Sequence, residues 1–161
     1  MRILSILKRG IKYILYGVPT VKQIRANVVA LDINKMLEGK VALITGGTSG
    51  IGMSIAEAFL KSGATVIITG RNEKKIDSVL NNIKSQNVLY EHKVFGIQLD
   101  NMQPSSFEQK IEEIVKLVSP AKIDVLVNNA GIGGGDISNA TEEEFEQVIK
   151  TNLNGTFFLS F

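Results

Sequence analysis

An α/β fold built on a doubly wound parallel sheet is predicted by three features of the chain. Four short apolar runs lack polar alternation, amphipathic helical stretches separate them, and a glycine-rich turn joins the first run to the first helix. Continuous apolar runs suit strands buried on both faces, which a parallel sheet covered by helices provides. Right-handed crossovers then wind the chain onto both faces of that sheet.

The first strand is expected at Val41–Thr45, a β-type apolar run. The helix after it, Gly50–Leu60, carries Ile51, Ile55, Ala58 and Phe59 on its expected inner side, and Gly63 ends it. Thr65–Thr69 forms the second strand and Asn72–Lys84 the second helix, with Ile76, Val79, Leu80 and Ile83 at helical spacing. Val94–Leu99 is the third strand. Pro104 suits a helix start, and Phe107, Ile111, Ile114, Val115 and Val118 continue an apolar face behind it. Ile123–Val127 is the fourth strand, followed by a Gly- and Asp-rich loop at Gly131–Asp136. Thr141 and Glu144 then form a Thr-x-x-Glu capping box for a last helix bearing Phe145, Val148, Ile149 and Asn152.

The 161 residues suffice for one domain with a core, and 44% apolar content excludes a disordered chain. Cysteine is absent, which removes disulfides, thiolate nucleophiles and Cys metal sites, and agrees with a reducing, cytoplasmic setting. The single His92 has no ligand-spaced partner, so no metal is expected. Glu142, Glu143 and Glu144 fall in the first turn of a helix, where carboxylates favour the dipole without any catalytic role.

Charge divides the chain. Residues 1–38 hold seven basic and two acidic residues (+5), whereas residues 39–161 sum to −3. In the leader, Ile3, Leu4, Leu7, Ile11, Ile14, Leu15 and Val18 fall within an arc of about 120° at helical spacing. Arg2, Lys8, Arg9 and Lys12 take the other side, and Gly17 and Pro19 end the segment. The favoured reading packs this stripe on the domain or on a second copy in a homo-oligomer; binding of residues 2–18 to an anionic membrane surface and a cleaved targeting segment are the alternatives. The basic residues interrupt the apolar run far short of the ~20 residues of a membrane span. No nucleic-acid partner is expected.

The turn Gly46-Gly47-Thr48-Ser49-Gly50-Ile51-Gly52 has the spacing Gly-x-x-x-Gly-x-Gly. Gly46, Gly50 and Gly52 free backbone N–H groups for an anion at a helix start, and Thr48 and Ser49 add hydroxyl donors. A P-loop is excluded because Met53 stands where its phosphate-holding Lys belongs. The end of the second strand reads Ile68-Thr69-Gly70-Arg71-Asn72, without the carboxylate that usually holds the NAD ribose. Arg71 suits a 2′-phosphate instead, so NADP is the expected cofactor and NAD the alternative.

Asn128-Asn129-Ala130-Gly131 closes the fourth strand, and Asn152 begins Asn-Leu-Asn-Gly. With the glycine turn, these motifs resemble the short-chain dehydrogenase/reductase family over roughly residues 37–160. The resemblance implies an incomplete Rossmann-type sheet of order 3-2-1-4, with the fourth strand at an edge. It implies contact of the glycine turn, Ile51 included, with a nicotinamide dinucleotide. Asp100 would meet the adenine, and Asn129, Ala130 and Gly131 the nicotinamide side, with Asn128 structural. Asn152 would join a proton relay as the one catalytic residue present.

Family members reduce carbonyls or oxidise alcohols, using a Tyr-x-x-x-Lys pair for the proton. Tyr13, Tyr16 and Tyr90 are followed four places on by Gly17, Thr20 and Val94, so no residue here completes that pair. The sequence therefore predicts two domains, a leader at 1–38 and a dinucleotide-binding domain at 39–161 truncated before its catalytic segment. The expected function is that of a family oxidoreductase whose small carbonyl or alcohol substrate is unspecified and whose present chain is inactive alone. The alternative is a non-catalytic dinucleotide-binding or interaction module held at a membrane surface.

Overall fold

The computed structural model describes residues 35–136 and 138–160. The expected leader lies almost wholly in residues 1–34, outside the described residues. The described residues belong to one compact unit.

Four parallel strands alternate with helices as the apolar runs require. They are β1 (Val41–Ile44), β2 (Thr65–Gly70), β3 (Val94–Gln98) and β4 (Val125–Val127). The helices are α1 (Gly50–Lys61), α2 (Glu73–Gln86), α3 (Phe107–Val118), α4 (Glu142–Val148) and the short α5 (Thr156–Leu159). A π-helical segment, Ile149–Gly155, joins α4 to α5. The order β3-β2-β1-β4 matches expectation. Leu43 lies opposite both Ile67 of β2 and Leu126 of β4, and Ile67 opposite Phe95 of β3.

Alternation along the strands feeds two cores. Ile44, Val66, Ile68 and Val94 pack with Ala56 and Leu60 of α1 and Val79 and Ile83 of α2. Val41, Leu43, Ile67 and Ile97 face the other way, onto Ile114 and Val118 of α3. Each fully buried Leu or Ile stabilises the fold by roughly 1.5–3 kcal/mol of transfer energy. Strand β1 is buried on both faces, as a central parallel strand must be.

Three local expectations are corrected. On α1, Ile51 (75% exposed) and Ala58 point outward, while Gly52, Ala56 and Leu60 form the buried face. The helix approaches the β1 turn so closely that a Cβ at Gly52 would strike the Asn129 amide and the Gly46 carbonyl, so small residues take the inner side. Val115 and Phe145 are likewise exposed, because α3 buries only Phe107, Ile114 and Val118, and α4 buries no residue. The fourth strand begins at Val125, not Ile123: the Val41 N–H donates to the Asp124 carboxylate (3.0 Å), so regular pairing starts one residue later. The capping box on α4 is present, Glu144 N–H donating to Thr141 Oγ1 (3.2 Å) and Thr141 N–H to Glu144 Oε2 (3.0 Å). Among the described residues, no helix is long and apolar enough to cross a membrane.

Candidate functional site

The carboxyl ends of the four strands open into one cleft of about 290 Å³. Ligands of open α/β sheets bind at such an edge, where the chain leaves neighbouring strands in opposite directions. The β1 turn contributes Gly46, Thr48 and Ser49 to its lining. The exit of β2 contributes Gly70 and Arg71, and the first turn of α2 adds Lys75. Leu99, Asp100 and Asn101 follow β3, residues 129–132 follow β4, and Thr151 reaches in from the π-helical segment.

Gly46 has φ +67° and Gly50 φ +55°, values that favour glycine. A Cβ at Gly46 would lie 2.9 Å from Ala130 Cα, whereas Gly50 faces open space. The first glycine is therefore required both by its conformation and by the approach of the β4 exit, the second by conformation alone. Gly52 does not border the cleft; its place is the α1–turn contact described above. Gly50 and Ile51 also lie outside the lining.

The junction between β1 and β4 is held by Thr45, which is fully buried. Its Oγ1 accepts from the N–H groups of Asn129 (3.0 Å) and Ala130 (2.9 Å) and donates to Val127 O (3.3 Å). Asn129 answers with its side chain, Nδ2 donating to Thr45 O (2.9 Å) and Gly46 O (3.3 Å). Asn129 thus lines the cleft and also braces the glycine turn. Asn128 turns away, its Nδ2 donating to Ser160 Oγ (3.0 Å).

Asn152 does not line the cleft. Its Oδ1 accepts from Ile132 N–H and its Nδ2 donates to Ile132 O, both at 2.9 Å. This two-point clamp fixes the backbone just after Asn129-Ala130-Gly131. The wider turns of the π-helical segment carry Asn152 to that loop, and such segments recur at functional sites. Gly155, one turn on, packs so closely against Asn101 that a side chain there would collide with its backbone.

Asp100 Oδ1 accepts from Met102 N–H (3.0 Å), which shapes the turn after β3. Arg71 is exposed, and its carbonyl accepts from Gln98 Nε2 (2.9 Å), tying the β2 exit to β3. Two buried polar groups of the lining, Asn101 Nδ2 and Thr151 Oγ1, have no hydrogen-bond partner.

Of the residues expected from the sequence, Gly46, Thr48, Ser49, Arg71, Asp100, Asn129, Ala130 and Gly131 meet in one cleft, and Gly50, Ile51, Gly52 and Asn152 stand around it. Sequence reasoning missed Lys75, Asn101 and Thr151 on the wall and Thr45 behind it. Thr45 directly precedes the glycine turn, but nothing in one sequence shows that its hydroxyl reaches β4.

Comparison with known proteins agrees with this architecture. The short chain dehydrogenase family pattern matches residues 40–161. The 3-oxoacyl-[acyl-carrier-protein] reductase FabG of Aquifex aeolicus is 39% identical over 125 residues, covering 77% of this chain and 48% of that protein. The NADP-dependent (R)-specific alcohol dehydrogenase of Lentilactobacillus kefiri is 33% identical over 123 residues, covering 76% and 46%. A short chain dehydrogenase from Shigella flexneri 2a, solved with NADP, superposes with a TM-score of 0.69 at 30% identity, covering 79% of this chain and 53% of that one. The chain spans about half the length of the curated relatives it matches. A strand-edge cleft ringed by the glycine turn, the Asn-Asn-Ala-Gly exit and the clamped Asn152 loop, on a 3-2-1-4 sheet, thus coincides with a family match over residues 40–161: the chain belongs to the short-chain dehydrogenases.

Proposed function

We propose that residues 39–161 form the NADP(H)-binding part of an oxidoreductase that interconverts a small carbonyl compound and its alcohol. The observation that carries this reading is the cleft wall at the end of β2, where Arg71 stands and neither Gly70 nor Asn72 supplies a carboxylate. A guanidinium there suits a 2′-phosphate, whereas a ribose 2′-hydroxyl is usually met by Asp or Glu. The similarity to an NADP-dependent alcohol dehydrogenase and to a dehydrogenase solved with NADP supports the same choice.

The residues present fit such a cofactor. The positive-φ Gly46 keeps the turn open beside Ala130, and Thr48 and Ser49 supply hydroxyl donors to the cleft. Backbone N–H groups at the start of α1, a helix of 12 residues, favour the pyrophosphate. Asp100 takes the adenine side, and Ala130 and Gly131, small residues at the β4 exit, the nicotinamide ribose. Bound NADP(H) supplies or accepts the hydride. Asn152 acts by holding the Ile132 backbone and so the loop beside the reacting ring. No Tyr-x-x-x-Lys occurs in the sequence, so we assign the chain cofactor binding and no proton-transferring pair.

Titration calorimetry with NADPH and NADH tests this. NADPH should bind at least tenfold more tightly than NADH, and Arg71→Gln should remove most of that preference while leaving NADH binding unchanged. Equal affinity for both nucleotides would overturn the NADP assignment, and binding of neither would overturn the site.

A further inference from the structure

We propose that the amino edge of the sheet, opposite the cleft, is a docking face for an anionic lipid surface. The connecting helices run back against the parallel strands, so the segments entering β1, β2, β3 and β4 all gather at this edge. Hydrogen bonds tie them together. Leu37 N–H donates to Ser62 O (2.8 Å), Lys93 Nζ to Gly63 O (3.1 Å) and Lys40 Nζ to Asp124 Oδ1 (3.0 Å). The proposal does not depend on what the cleft holds.

Before β3, the 3₁₀ turn Val88–Tyr90 presents Val88 (82% exposed) and Leu89 (71% exposed) to solvent. The turn is held by its own hydrogen bonds: Asn87 Oδ1 accepts from Leu89 N–H (3.0 Å), and Val88 O from Glu91 N–H (3.2 Å). Tyr90 and Leu37 turn inward onto the core beneath α1 and α2, while Met36, next to Leu37, is exposed. Nothing in the geometry of this turn calls for two aliphatic side chains in water.

Charge is divided along the strand axis. The edge segments 35–40, 62–64, 87–93 and 119–124, with the last helical turns leading into them, hold seven lysines and three carboxylates (+4). The remaining described residues hold five basic and twelve acidic residues (−7). Lys40 pairs with Asp124, Lys84 with Glu91 and Lys116 with Glu112; the other four lysines form no ion pair among the described residues. Helix dipoles account for Lys61, Lys84 and Lys116, which sit in last turns. They account neither for Lys93 and Lys122 nor for the aliphatic tip. A tip of this kind beside lysines suits the headgroup boundary of a bilayer, where apolar side chains enter and ammonium groups stay among the lipid phosphates. A protein partner would need roughly 800 Å² of complementary surface per side, and two side chains supply a small part of that. Docked in this way, the cleft and the carboxylate-rich end face away from the membrane.

Co-sedimentation with vesicles tests this on the 161-residue chain and three variants. Vesicles of phosphatidylcholine alone are compared with vesicles containing about one-third phosphatidylserine. The unaltered chain should bind the anionic vesicles at least about tenfold more tightly than the neutral ones, and added salt should weaken that binding. Val88→Ser with Leu89→Ser should weaken it about tenfold and Lys122→Gln about fivefold. Lys74→Gln, which removes one charge near the cleft, should stay within about twofold of the unaltered chain. Residues 1–34 are the same in every variant, so undiminished binding by both V88S/L89S and K122Q would assign the lipid to the leader and overturn the proposal. No binding, equal binding to the two vesicle types, or equal losses in K122Q and K74Q would overturn it as well. Conversion of a dimer to a monomer by V88S/L89S without lipid would assign the tip to self-association instead. Matching thermal midpoints for the variants exclude misfolding as the cause of any difference.

Discussion

A single buried hydroxyl, that of Thr45, holds the floor of the cleft together. It accepts two backbone N–H groups from the β4 exit, and the Asn129 amide closes the arrangement onto Thr45 and Gly46. Replacing it with Val preserves the shape but leaves the Ala130 N–H without an acceptor, while the Asn129 N–H keeps Val127 O (3.0 Å). An unsatisfied buried donor costs about 1–3 kcal/mol. Thr45→Val should therefore lower the unfolding free energy by roughly 1–3 kcal/mol in urea titration, and Thr45→Ser, which keeps the hydroxyl, by much less. Equal losses would mean that packing rather than the hydroxyl matters at this site. The residue type was legible in the sequence; its reach across to a strand 80 positions away was not, because hydrogen-bond partners of that kind depend on sheet order.

Among the elements, β4 is tied to β1 at its start by a side chain. Asp124 accepts the Val41 N–H (3.0 Å) and pairs with Lys40 Nζ (3.0 Å), joining the starts of β1 and β4. The Val41 hydrogen bond first, and Lys40 second, hold its carboxyl below its ordinary value of 3.8. A depressed carboxylate pKa contributes stability that is present above the ordinary value and is lost as pH falls through the lower, folded value. Asp124→Ala should therefore lower the thermal midpoint at neutral pH, and the gap to the unaltered chain should shrink as pH falls below 3.8. A gap that persists unchanged into acid would assign the loss to packing. Element types were readable from apolar runs and caps, as at Thr141–Glu144. The rotation of α1 was not, since periodicity marks Ile51 and Ala58, which are exposed, and passes over Ala56, which is buried. Only the close approach at Gly52 decides which face meets the sheet. The π-helical segment was equally hidden, because an extra residue per turn shows only when Asn152 must reach Ile132.

At the scale of the whole molecule, cofactor binding and stability are linked. A ligand that binds only the folded chain stabilises it by about 2.7 kcal/mol at 100 times its Kd. NADPH at that level should raise the thermal midpoint by roughly 5–10 °C for a domain of this size, and NADH at the same concentration by less. The absence of any rise with NADPH would count against the cleft as a cofactor site.

By itself the sequence determined the order and kind of the elements, the turn at Gly46–Gly52, the missing carboxylate at the β2 exit and the motifs of the family. These follow from local physics: side-chain periodicity, glycine's access to positive φ, and charge near a strand end. The tertiary structure alone decided which of those residues face a common space. Folding put Lys75 on the wall with Arg71 and packed Gly52 against the Gly46 turn and the Asn129 amide. It also set Asn152 on the Ile132 backbone rather than on the cleft surface. These outcomes depend on how closely helices approach the sheet, a property of packed layers that no stretch of sequence carries alone.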